Sequence, residues 1–291
     1  QYMNIMRREV SPRPRKVLIS KHLICPPQHR NGFDYLIQAL ESGKNVNTHL
    51  SSELKNASYS DGFLNDFGLH HFHLGERTLN SGKSKGFVER TGPILIAYVK
   101  DEYIFLIGIF NHGKGGDEYL WTDQKVIEII HNEWPKAIEH FKVTMFESLS
   151  NNPTPEERMN LRKSTCNSFT QMPDGTAYAP IGGGLTAANT SLNVTLDYLK
   201  YIRYSSSMLA FLCKSISERI HENTHFPITL KLISLSGGYI YEDRKNKTIY
   251  FLHETPNKKV RFIAYRKRVF PEHYPSDSFP IAPIAEGVLK A

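Results

Sequence analysis

The chain has 291 residues, of which 40% are hydrophobic and 22% charged, and a net charge of +7; that composition excludes disorder along its whole length and supports a sizeable core. The charge is uneven. Residues 1–146 hold 18 Lys and Arg against 16 Asp and Glu, a net of +2, and residues 147–291 hold 18 against 13, a net of +5, which admits an anionic partner such as nucleic acid. Cys25, Cys166 and Cys213 are odd in number and far apart, so no disulfide framework or structural zinc knuckle is expected. With neither a run of 18 apolar residues nor a signal-peptide pattern, the expectation is no membrane partner and a reducing, cytoplasmic setting.

A change of texture at Asn151 to Pro155 predicts two domains, 1–150 and 151–291, of α+β class, each an antiparallel sheet packed with helices. The alternating prolines of Val10 to Lys16 predict that residues 1–16 form an extended basic arm with solvated charges. Val17 to Ile24 reads as a short strand. Apolar spacing predicts a helix over Phe33 to Glu41, stopped by Gly43, and a second short helix from Thr48.

Leu69 to Leu74 reads as a strand. In it Leu69, His71 and His73 share one face, and His70, Phe72 and Leu74 share the other, leaving His71 and His73 accessible. The Gly-, Ser- and Lys-rich segment Glu76 to Arg90 reads as a mobile loop. Ile94 to Val99 and Tyr103 to Phe110, joined by a polar turn, predict a hairpin; both runs are apolar throughout, as in strands covered on both faces or in a sheet with one ligand-binding face. Asp123 to Glu133 reads as a helix capped by Thr122 and ended by Pro135.

In the second half, Thr154, Pro155, Glu156 and Glu157 predict the start of a helix running to Lys163, and Asp174-Gly175 a hairpin turn. A long helix is expected over about Asp197 to Glu222. Strands follow over Ile228 to Leu235, Tyr239 to Glu242, Thr248 to His253 and Val260 to Tyr265, and the tail from Pro271 reads as irregular.

His71, His73 and His112 are the sharpest chemical signal. Imidazoles on one strand face serve as general acid and base, because histidine titrates near working pH, or bind one divalent metal such as zinc. Asp117 is a candidate further ligand. Arg90 is placed to hold a phosphate and stabilise a phosphorane, with Lys83 and Lys85 ahead of it. Lys258, Lys259, Arg261, Arg266, Lys267 and Arg268, interleaved with aromatic residues, suit contact with backbone phosphates or a strand edge protected by charge. His221-Glu222-Asn223-Thr224-His225 matches a zinc-protease string, but Pro227 disfavours the helix it requires. Gly182-x-Gly184-x-x-Ala187 lacks the βαβ context of a dinucleotide site.

Over residues 30–145, the order of helices, then strands at Leu69 to Leu74, Ile94 to Val99 and Tyr103 to Phe110, with Arg90 between the first two, resembles the RelE/HigB-like ribonuclease toxins. The resemblance implies a small antiparallel sheet whose basic and histidine side chains cut RNA without metal, and an antitoxin or other inhibitory partner. The leading expectation is therefore a toxin-like or phage-defence-like endoribonuclease that needs no cofactor. In it His71 or His73 takes the ribose 2'-hydroxyl proton, His112 protonates the leaving oxygen and Arg90 stabilises the phosphorane. The alternatives are a metal-dependent hydrolase or nuclease with His71, His73 and His112 as ligands, and a non-enzymatic regulatory protein that binds nucleic acid through its basic C-terminal half.

Overall fold

In the computed structural model, residues 1–112, 116–145, 149–217, 230–234, 239–243, 245, 248–254, 260–266 and 285–289 are described. They form α1 (Tyr2–Arg8), β1 (Lys16–Ile19), α2 (Arg30–Ser42), α3 (Gly62–Phe67), β2 (Leu69–His73), β3 (Pro93–Val99), β4 (Tyr103–Asn111), α4 (Lys125–Glu133), α5 (Pro135–Ile138), α6 (Pro155–Lys163), β5 (Thr170–Gln171), β6 (Ala177–Tyr178) and α7 (Leu192–Ser217), followed by β7 (Lys231–Ser234), β8 (Tyr239–Asp243), β9 (Thr248–Glu254), β10 (Val260–Arg266) and β11 (Ala285–Leu289). Among the described residues no helix is long and apolar enough to cross a membrane.

The hairpin β3–β4 is the centre of a four-stranded sheet ordered β1-β4-β3-β2. β2 pairs antiparallel with β3, whereas β1 lies parallel to β4, from Lys16 opposite Tyr103 to Ile19 opposite Leu106. The sheet is therefore mixed, not wholly antiparallel; the long connection through α2 allows the chain to return in the parallel sense. Both faces are covered. Phe72 and Leu74 join Leu95, Ala97, Ile104 and Leu106 against Phe33, Leu36 and Leu40 of α2. Leu69, Ile94, Ile96, Tyr98, Phe105 and Ile107 pack on the other face against α3 and α4. The apolar content of β3 and β4 thus has its reason in burial from two sides.

Three local expectations change. Residues 2–8 are helical, and the basic side chains of the N-terminal segment are not all solvated: Arg8 and Arg15 are 5% and 6% exposed. Arg8 donates to the carbonyls of Asn4, Glu53 and Asn56 at 3.1, 2.8 and 2.7 Å, and Arg15 to those of Lys100 and Ser11 at 2.8 and 2.9 Å. Turn carbonyls without ladder partners need donors, and a guanidinium supplies several at once. Instead of an α-helix from Thr48, two short 3-10 turns form at Asn47–His49 and Ser52–Lys55, the second capped by Ser51. The segment 76–90 is held by a Thr78–Val88 bridge and by Val88 N donating to the Thr48 carbonyl at 2.9 Å, with Phe87 and Val88 buried.

The division of the chain also moves. One compact unit spans Gln1–Tyr198 and the other Leu199–Ala291, so residues 151–198 belong with the first unit and not with an accessory domain. Met172, Tyr178 and Ile181 complete its core. α6 begins after Thr154 as expected, where Thr154 and Glu157 form a capping box, and carries Arg162, whose guanidinium lies 4.7 Å from the Phe67 ring, meets Asp66 at 2.7 Å and donates to the Trp121 carbonyl. The second unit holds an antiparallel sheet ordered β11-β10-β9-β8-β7. Its fifth strand, β11, lies in the tail expected to be irregular, with Val260 opposite Leu289. The 221–225 string lies outside the described residues.

Removing one member of the buried Arg162–Asp66 pair leaves the other charge uncompensated, so Arg162→Ala is expected to lower unfolding free energy by about 3–5 kcal/mol in urea titration. A Cβ at Gly32 of α2 would stand 2.0 Å from the Leu74 carbonyl oxygen. Gly32→Ala is expected to push α2 off β2 at a cost of about 1–3 kcal/mol, read as a lower Tm.

Candidate active site

β2 is an edge strand, and its alternation directs His71 and His73 to the face that carries α3 and α4 while Phe72 and Leu74 enter the opposite core. The chain returns to the same place at the end of β4, where His112 follows Asn111, and again at Trp121. The four rings cluster: His71 and His73 have centroids 6.0 Å apart, His73 and His112 5.6 Å, His71 and Trp121 5.0 Å, and His112 and Trp121 5.9 Å. His71 and His112 are half-buried. His73 is only 2% exposed, so it is not the accessible side chain expected from its strand position.

The segment Thr91-Gly92 ties the cluster together. Thr91 N donates to His73 Nδ1 at 3.4 Å, and the Thr91 hydroxyl accepts from Leu74 N at 3.1 Å. The Gly92 carbonyl accepts from both the backbone N and the ring Nδ1 of His112, at 3.1 and 2.6 Å. These contacts select tautomers, since a carbonyl only accepts and a backbone N–H only donates. The neutral form of His112 therefore carries its proton on Nδ1 and presents Nε2 as the acceptor. His73, neutral, carries its proton on Nε2, a buried atom with no hydrogen-bond partner among the described residues. Beneath them His49, 3% exposed, donates from Nδ1 to the His73 carbonyl at 2.9 Å and fixes the end of β2.

Burial lowers the His71 pKa to about 4, helped by His112 and Arg90, and lowers that of His73 to about 3, helped by His71, Arg90 and His112. Among the described residues, the titratable groups acting on both rings are thus Arg90 and the neighbouring imidazoles, with no carboxylate. Desolvation and positive potential act in the same direction and keep both rings neutral at pH 7. His70 faces the other way; its ring nitrogens are buried, and its pKa falls to about 3, chiefly through burial and helped by Arg7.

Arg90 is exposed and acts on His71 and His73. Lys83 is paired with Glu53 at 2.5 Å instead, and Lys85 is exposed on the anchored segment, its carbonyl accepting from Lys55. Asp117 pairs with Lys125 at 2.5 Å and supplies no ligand to the histidines. Arg261 and Arg266 lie on β10, and Lys258, Lys259, Lys267 and Arg268 lie outside the described residues. Trp121, Thr91 and His49 are the contributors that sequence reasoning missed. Trp121 has a readable signal, a large aromatic residue soon after His112, but nothing local in the sequence joins His49 to His73.

Neutral imidazoles are the right donor type for zinc, yet the fit is poor. In a three-histidine zinc site with bonds of about 2.0–2.1 Å the ring centroids would stand roughly 5 Å apart, closer than the separations here, and Thr91 N–H occupies His73 Nδ1 while Nε2 keeps its proton. Among the described residues no group of three or more His, Cys, Asp or Glu side chains is arranged to hold a metal ion. Compared with known protein families, with curated proteins and with solved structures, the chain matched none.

The lowered pKa values have a signed consequence. Each histidine binds a proton near pH 6.5 when unfolded but not when folded, so their stabilising contribution is complete above about pH 6.5 and is lost as pH falls toward the folded values of about 4 and 3. Unfolding free energy measured between pH 7 and 4 should decline by about 1.4 kcal/mol per pH unit for each ring that remains neutral. His73→Asn, if folded, should flatten that slope.

Proposed function

We propose that the cluster cleaves RNA by metal-independent acid and base chemistry, as an endoribonuclease of toxin-like or defence-like type. The observation that carries this reading is a cluster of three imidazoles in which, among the described residues, Arg90 and neighbouring imidazoles and no carboxylate act electrostatically on His71 and His73, which suits a phosphodiester. The hydrogen bonds support a reversal of the roles expected from sequence. His112, with Nδ1 held by the Gly92 carbonyl, takes the ribose 2'-hydroxyl proton at Nε2. His71 is neutral in the free protein; a bound phosphate supplies the negative charge the site lacks, raises the imidazole pKa and lets His71 carry the proton delivered to the leaving 5'-oxygen. Arg90 stabilises the phosphorane, and His73 positions the other two rings. The 2'-oxygen forms a bond to phosphorus as the bond to the 5'-oxygen breaks, leaving a 2',3'-cyclic phosphate.

The order of helices and strands, with its likeness to RelE/HigB-like toxins, adds an inhibitory antitoxin as a proposed partner. The basic C-terminal residues are its proposed RNA-retaining counterpart.

The test is RNA cleavage by the whole protein with and without EDTA. Cleavage that resists the chelator, yields cyclic ends and falls about 10²–10⁴-fold in His112→Ala or His71→Ala is expected. Arg90→Ala should cost about 10²–10³-fold in kcat. Activity abolished by EDTA and restored by zinc would instead establish the metal-dependent reading, and RNA retention without cleavage the regulatory one.

A further inference from the structure

On the same sheet face as the histidines, but at the β1–β4 edge, a second recess opens between the start of β4 and the α4–α5 junction. Its volume is about 550 Å³, within the roughly 300–1,000 Å³ of small-molecule sites. Aromatic rings form its walls: Trp134 is half-buried and tilted 5.1 Å from Phe105, and Tyr103 is 41% exposed at the mouth. Three charged side chains line it, Lys100, Lys136 and Glu133. Glu133 is already committed, accepting from the Ser20 hydroxyl at 2.9 Å and from Lys21 N at 3.3 Å. Neither lysine has an ion-pair partner among the described residues, and Lys100 is held with its ammonium 4.7 Å from the Tyr98 ring centroid. An aromatic cleft lined by two lysines that form no ion pair among the described residues and by one carboxylate already turned to Ser20 and Lys21 keeps a positive excess, which has a defined complement.

We infer that this cleft binds a small planar aromatic anion of mononucleotide size, its ring stacked on Trp134 and Tyr103 and its anionic group between Lys100 and Lys136. Flat rings with one face open favour a planar ligand over an aliphatic one, because stacking adds to burial. Two lysines in the lining favour a phosphate over a neutral head. The site is separate from the histidine cluster, so its failure would leave the cleavage reading untouched.

Trp134 is one of two tryptophans in the chain, and it can report occupancy once Trp121→Phe removes the other. Titrating this variant with adenosine monophosphate should give saturable fluorescence quenching with sub-millimolar Kd. Adenosine, lacking the phosphate, should bind at least about tenfold more weakly, and Lys100→Gln with Lys136→Gln should weaken the nucleotide by about the same factor with the circular dichroism unchanged. Equilibrium dialysis of the unaltered protein against the labelled nucleotide gives the same reading if Trp121→Phe does not fold, with Trp134→Ala as its control. No saturable binding below about 10 mM, equal binding of nucleotide and nucleoside, or indifference to loss of both lysines would each overturn the assignment.

Discussion

A four-stranded sheet covered on both faces constrains everything else in the first unit. Strands buried from two sides must be apolar throughout, as β3 and β4 are, and any polar side chain carried into the layers loses water. His73 and His70 lie on opposite faces of one edge strand, and both are desolvated for that reason. The neutrality of His71 and His73 follows from where β2 sits in the layers, since burial disfavours the charged imidazole and the neighbouring Arg90 and imidazoles act in the same direction.

Charge in this protein has two separate uses. Arg8, Arg15 and Arg162 act as multi-donor clamps on turn carbonyls and, for Arg162, on one buried aspartate. A guanidinium suits this work because its planar fork reaches several acceptors while its stem packs on apolar surface. Such residues count toward a positive balance but offer nothing to a ligand. Arg90, exposed near the histidines, and Lys136, in the lining of the aromatic cleft, form no ion pair among the described residues and remain available to a ligand.

The histidine cluster gains order from a short stretch of backbone. Thr91 and Gly92 address His73, His112 and Leu74 with four hydrogen bonds, fixing complementary tautomers on adjacent rings. These bonds hold His73 and His112 in fixed orientations beside His71. The arrangement arises because one segment presents a donor in one direction and an acceptor in the other.

Much of the local structure was legible from residues alone. The alternation of Leu69 to Leu74, the polar turn inside the β3–β4 hairpin, the helix start after Thr154 and the Asp174-Gly175 turn depend on neighbours within a few positions, and periodicity and helix-start chemistry report such interactions directly. The identity of His71, His73, His112 and Arg90 as one group was readable as clustering along the chain. The division at Tyr198, the parallel placement of β1, the burial of Arg8 and Arg15 and the fifth strand β11 were not readable, because each is decided by contacts far apart in sequence. Arg162 joins Asp66 across 96 positions, and no local pattern records that pairing. Sequence by itself determined which side chains are available for chemistry and the periodic faces that carry them. Tertiary structure alone decided their solvation, tautomers and partners, because those depend on which distant segments close over them.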